Sequence, residues 1–164
     1  MFHVVQKPHT VNGHTHLYTV IDHPGAVTIV PSRANRYGLI RQFRPAIDRE
    51  ILEFPAGTID PPEPPLACAK RELSEETGLQ AGQWIELGSF FLAPGYSSEF
   101  MHIFLAEAAE DEPAGAHPEA NEEISPVEWW SLAELDAGAR EGRIQDAKTL
   151  AALFLLHTHL RSHS

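Results

Sequence analysis

Apolar and polar positions along the first third of this chain form short runs broken by turn residues, and a helical period begins only near Pro65. Val4-Val5 and Leu17-Tyr18-Thr19-Val20 flank Asn12-Gly13, a dipeptide suited to the positive φ angles of a two-residue turn. The pattern predicts an N-terminal β-hairpin, with Phe2, Val4, Leu17, Tyr18 and Val20 giving it an apolar side. His23-Pro24-Gly25 interrupts the pattern. Ala26 to Val30 and Gly38 to Phe43 read as strands, the second ending in Arg41-Gln42-Phe43-Arg44, and Glu50 to Phe54 as a short strand feeding Pro55-Ala56-Gly57. Pro61, Pro62, Pro64 and Pro65 impose an extended loop, because proline fixes φ and has no amide donor. A helix starts near Pro65, carries Leu66, Ala69 and Leu73 as its apolar stripe, and ends at Gly78. Trp84 to Phe91 and Met101 to Ala106 follow as strands around Ala93-Pro94-Gly95-Tyr96. Then come a polar loop over 111–121, a last strand from Val127 to Trp130, and helices over 131–137 and 146–157. A mixed sheet flanked by helices is expected, an α/β/α sandwich.

Chemistry concentrates between Gly57 and Leu79. Residues i, i+3 and i+4 of a helix share a face, so Glu72, Glu75 and Glu76 project together. Like charges so close repel unless something positive sits among them. A hard divalent cation such as Mg²⁺ suits the position, since it takes carboxylate oxygens and keeps sites for water and substrate phosphate. The bland alternative is a solvated acidic face. Arg71 and Glu75 form an i, i+4 pair, placing a guanidinium where it can hold one glutamate. Cys68 lies one turn before Glu72 and reads as a small packed residue.

Composition narrows the function classes. A chain of 164 residues, 43% hydrophobic and 21% charged, is one globular domain with room for a core. A single cysteine excludes an intramolecular disulfide and is compatible with a reducing cytoplasm, the expected location. No apolar run is long enough for a membrane span, and the start lacks the pattern of a signal peptide. A formal net charge of −11 argues against a nucleic-acid or anionic-membrane partner, and an acidic chain that handles phosphates must recruit cations locally. The histidine pairs at 14/16 and 157/159 lack further ligands nearby in sequence and read as surface residues.

The window resembles the Nudix box, the signature of the Nudix hydrolases. Its constrained positions are filled here by Gly57, Glu63, Arg71, Glu72, Leu73, Glu75, Glu76, Gly78 and Leu79, all at the family's spacing. The resemblance implies a Nudix-type fold with a loop-helix-loop metal site over a single domain, 1–164, in which residues 1–25 are an added hairpin. Glu53-Phe54-Pro55-Ala56-Gly57, Arg41 to Arg44, Pro94 and the stretch Gly142 to Leu150 are similar to the ADP-ribose pyrophosphatase branch. That branch implies Mg²⁺-dependent hydrolysis of ADP-ribose to AMP and ribose 5-phosphate, with Mn²⁺ able to substitute and more than one ion engaged with substrate. Another nucleotide substrate of the family, or a domain that senses nucleotides without cleaving them, are the alternatives.

The resemblance also implies roles. Glu72 and Glu76 are the principal metal ligands, with Glu75 close by, Arg71 supporting them and the Ala56 carbonyl completing the set. Asn121-Glu122-Glu123-Ile124 resembles the family's acidic loop, with Glu122 as further ligand or base and Glu123 and Glu119 in reserve. Arg44, and after it Arg41, offers a fork of donors for a phosphate or nucleotide. Glu53 accepts from an adenine amine or ribose hydroxyl, and Pro94 marks the substrate loop. Tyr96 stacks on a base or packs within its loop. A homodimer is expected, because in this branch the N-terminal region commonly exchanges between subunits.

Overall fold

Asn12 (φ 52°) and Gly13 (φ 79°) adopt the left-handed conformations a tight turn needs, and the chain reverses between β1 (His3–Val11) and β2 (His14–Asp22). In this computed structural model, residues 2–108 and 124–163 are described. The polar loop expected over 111–121, together with Glu119, Glu122 and Glu123, lies outside the described residues. The hairpin forms its own two-stranded sheet. Backbone bonds tie it to the body, with Ile21 N–H donating to Tyr96 O (2.7 Å) and Ser98 N–H to Ile21 O (2.9 Å). The expected single apolar side is corrected by the register. Val4 opposes Ile21 and Pro8 opposes Leu17, whereas Val5 opposes Val20 and Lys7 opposes Tyr18. Directly opposed residues share a face and neighbours alternate, so Val4 and Leu17 point one way and Tyr18 and Val20 the other.

The main sheet has seven strands. Its path runs β5 (Arg49–Glu53), β4 (Arg36–Arg44), β3 (Ala26–Arg33), β8 (Phe100–Ala108), β7 (Ala81–Phe91), while β6 (Ala56–Thr58) pairs with β3 and β9 (Glu128–Ser131) with β4. Only β3 and β8 are parallel, so the sheet is mixed as expected. Alternation along the central strands builds two cores. Val27, Ile29, Phe104 and Ala106 face α1 (Pro65–Thr77), and Ala26, Val30, Met101 and Ile103 face α2 (Leu132–Arg140) and α3 (Ala147–Ser162).

Local chemistry sets the boundaries of α1. Pro64 is extended (ψ 148°), Pro65 takes the first helical position where its missing N–H costs nothing, and Gly78 (φ 69°) closes the helix by donating to Ser74 O at 2.9 Å. Cys68, Ala69 and Leu73 are buried against the sheet, and a leucine so placed contributes about 2 kcal/mol. Leu66 shares the stripe's angular position yet is 39% exposed, because the sheet meets only the turns from Cys68 onward. One irregularity of the sheet shapes the site. β3 pairs with β4 only at Ser32–Tyr37 and Arg33–Arg36, and its first residues pair instead with β6. β6 takes the place beside β3 that β4 leaves, and it lines a cavity together with the ends of β4 and α3.

Candidate active site

The site is built where α1 lies over β6. Adding a Cβ to Gly57 would place it 1.9 Å from Glu72 Cδ, so only glycine lets the Glu72 carboxylate lie against the strand. Next to it, the Ala56 N–H donates to Glu76 Oε2 at 3.0 Å, and Glu76 is buried. Two carboxylates from consecutive turns of one face are thereby held to two consecutive residues of β6.

Arg71 changes the electrostatic argument. Its guanidinium donates to Glu63 Oε2 (3.1 Å), Glu72 Oε1 (2.7 Å) and Glu75 Oε2 (2.9 Å). The positive charge that the acidic cluster demands is therefore supplied in part by the chain itself, and mutual repulsion alone does not call for a metal. Hydrogen bonding from Arg71 holds Glu63 below the usual carboxylate range, and the same carboxylates raise Arg71. Burial pushes the Cys68 thiol up to about 12, which fits a packed, inert residue.

The donor set suits a hard cation. Among the described residues no group of three acidic, histidine or cysteine side chains forms a ready cage. Mg²⁺ does not need one, since it commonly binds one or two carboxylates and completes its shell with water and substrate phosphate. Glu72 against the Gly57 cradle and Glu76 against the Ala56 amide provide two hard oxygen donors, while Glu75 is turned toward Arg71. Ile124, which pairs with Gln42 of β4, lines a cavity of about 400 Å³ together with Glu76, so the chain re-enters the described structure beside the carboxylates.

A second cavity, of about 370 Å³, is lined by Ala56, Gly57 and Thr58 of β6 and by Arg44, Asp146 and Lys148. Arg44 thus lines the same cavity as β6. The other predicted substrate residues are placed differently. Glu53 lies behind the wall with a side chain only 1% exposed, its oxygens taken by Arg44 Nη2 (2.5 Å) and Lys148 Nζ (2.6 Å), so the expected bond to an adenine or ribose is corrected to an internal one. Arg41 does not line this cavity; Glu128 of β9 holds it at 2.6 Å. Pro94 and Tyr96 line a separate pocket of about 260 Å³ with Lys7 and Val20 of the hairpin. Sequence reading assigned no role to Lys148, although Asp146-Ala147-Lys148-Thr149 stood within the stretch that resembles the branch.

A NUDIX domain is matched over residues 22–153. The chain belongs to the NUDIX family. It is 33% identical over 143 residues to a methanol dehydrogenase activator of Bacillus methanolicus, covering 87% of this chain and 77% of that one. It is 34% identical over 142 residues to an ADP-ribose pyrophosphatase of Mycobacterium tuberculosis, covering 84% and 67%. A GDP-mannose pyrophosphatase of Citrobacter koseri is 34% identical over 126 residues, covering 73% and 65%. A solved ADP compounds hydrolase superposes with a TM-score of 0.82 at 26% identity, covering 100% of this chain and 94% of that one.

Proposed function

We propose that this Nudix pyrophosphohydrolase cleaves the diphosphate bridge of ADP-ribose, giving AMP and ribose 5-phosphate. The observation that carries the reading is that Ala56 and Gly57, against which Glu76 and Glu72 lie, line a cavity that Arg44 also lines. Mg²⁺, or Mn²⁺ in its place, supplies screening of the phosphate oxygens and an acidified water when bound there. Glu72, Glu76 and the Ala56 carbonyl hold the metal in this reading, and Glu75 joins them when it turns from Arg71. Arg71 keeps the helix carboxylates in place. Glu122, two residues before a residue that lines Glu76's own cavity, is proposed as the further ligand or the base that takes the proton from water. Arg44 binds a phosphate of the bridge through its planar fork. ADP-ribose is favoured because an ADP-ribose pyrophosphatase and an ADP compounds hydrolase both align over most of this chain.

A second reading is hydrolysis of another nucleotide sugar, supported by the GDP-mannose pyrophosphatase relative. A panel of ADP-ribose, ADP-glucose, GDP-mannose, NADH, diadenosine polyphosphates and dGTP, assayed by phosphatase-coupled phosphate release with and without Mg²⁺, separates the readings. ADP-ribose is expected to give the highest kcat/KM. A clear preference for GDP-mannose would move the substrate, and no turnover of any compound would leave a binding domain.

The protein is further proposed to act as a homodimer through residues 1–25. Val4 and Leu17 share one face of the hairpin and are each 68% exposed, while an isolated two-stranded hairpin is marginal in water. The opposite face, with Lys7 and Val20, already borders the pocket at Pro94 and Tyr96.

A further inference from the structure

The Glu53 carboxylate is almost wholly buried and shared between two cations of unequal freedom. Lys148 is 8% exposed and spans Glu53 Oε2 (2.6 Å) and Asp146 Oδ2 (3.0 Å). Asp146 Oδ2 in turn accepts from the Thr149 N–H (3.0 Å) and hydroxyl (2.6 Å), and Thr149 Oγ accepts from the Phe54 N–H (2.9 Å). Lys148 is therefore clamped between β5 and the first turn of α3. Arg44 is 36% exposed, donates to Glu53 Oε1 through Nη2 (2.5 Å) and to Oε2 through Nε (3.4 Å), and lines the cavity. Of the two cations, Arg44 has the room to swing toward an incoming anion. It can do so only by loosening its hold on a buried carboxylate, and a buried charge left without partners is costly.

From this arrangement we propose that Lys148 is a positioning residue which, by keeping Glu53 neutralised, releases Arg44 to bind the diphosphate of the substrate. The inference rests on the reading that Arg44 binds a phosphate, and it adds a residue and a competition to that reading. Glu53 and the substrate compete for one guanidinium. The Lys148 ammonium lowers Glu53's claim on it. Without Lys148, Glu53 depends on Arg44 alone and withholds it from the ligand. Without the Glu53 charge, Lys148 is no longer needed for that purpose. A lysine that contacted the phosphate itself would behave differently, because removing Glu53 would not replace its lost contact.

The test measures binding of methylenediphosphonate, a diphosphate that cannot be hydrolysed, by titration calorimetry in the presence of Mg²⁺, alongside kcat and KM for ADP-ribose. Lys148→Met is expected to weaken diphosphonate binding about tenfold, the scale of one hydrogen bond to a charged group. It is expected to raise KM similarly while kcat stays within about threefold. Glu53→Gln combined with Lys148→Met is expected to return the Kd to within about threefold of the wild type. Lys148→Met on an Arg44→Met background should add nothing. A double variant as weak as Lys148→Met, an unchanged Kd in Lys148→Met, or a loss confined to kcat would each overturn the proposal. If Lys148→Met does not fold, Glu53→Gln alone decides: binding equal to or tighter than wild type supports the competition, and tenfold weaker binding refutes it. The diphosphonate carries no sugar or base. Variants that follow the expected order while ADP-ribose is not turned over would sink the substrate assignment and leave the role of Lys148 standing.

Discussion

In the proposed reaction, the chemistry turns on Glu76. It is buried, it accepts from the Ala56 amide, and it also lines the cavity at Ile124. Glu76→Gln preserves shape while removing a ligand charge, so kcat is expected to fall on the order of 10²-fold or more with the fold intact by circular dichroism. A folded variant with near wild-type rates at saturating Mg²⁺ would move the metal away from α1. Glu63 gives a prediction of known sign. Arg71 lowers its pKa in the folded protein below the ordinary value of 4.5, so its contribution to stability is present above that value and is lost as the pH falls through the lowered one. Melting temperature followed downward through pH 4.5 should decline less steeply in Glu63→Gln than in the wild type; identical slopes would show that the Arg71 bond contributes nothing. Residues of this kind are legible in sequence because their partners are close, as with Arg71 and Glu75 one turn apart. Glu53 is not, because its partner Lys148 lies 95 positions away and no local spacing announces the pair.

Elements were legible where a local device fixes them. Asn12-Gly13, Pro65 and Gly78 each dictate a backbone conformation, and β1, β2 and α1 begin and end where those residues require. What tertiary pairing decides was hidden. Nothing in β3 reveals that its first residues pair with β6 and its last with β4, yet that switch is what brings β6 to the wall of the cavity. The start of α3 is a similar case. Asp146 caps α3, its Oδ2 accepting from the Thr149 N–H, and its carboxylate also steadies Lys148 at 3.0 Å. Asp146→Ala is expected to cost about 1–2 kcal/mol for the cap alone, by urea unfolding, and to raise KM for ADP-ribose as well. A stability loss with unchanged KM would confine Asp146 to capping.

At the scale of the whole molecule, the sheet separates a core under α1 from a second core under α2 and α3, and the candidate site lies at β6 between them. No helix among the described residues is long and apolar enough to cross a membrane. The exposed Val4–Leu17 face predicts that light scattering gives twice the chain mass of 18.2 kDa, and that a chain starting at Ala26 scatters as a monomer. A full-length protein that stays monomeric at high micromolar concentration would refute the dimer. The most direct measurement of the chemistry is hydrolysis of ADP-ribose by the wild-type protein with Mg²⁺ in ¹⁸O-labelled water, read by mass spectrometry. The proposed site, with Glu72 and Glu76 against β6 and Arg44 on the cavity that β6 lines, predicts attack at phosphorus, so the label belongs on a phosphate of AMP or of ribose 5-phosphate. Label on a ribose C5 hydroxyl, released with an unlabelled diphosphate, or no cleavage at all, would contradict that chemistry.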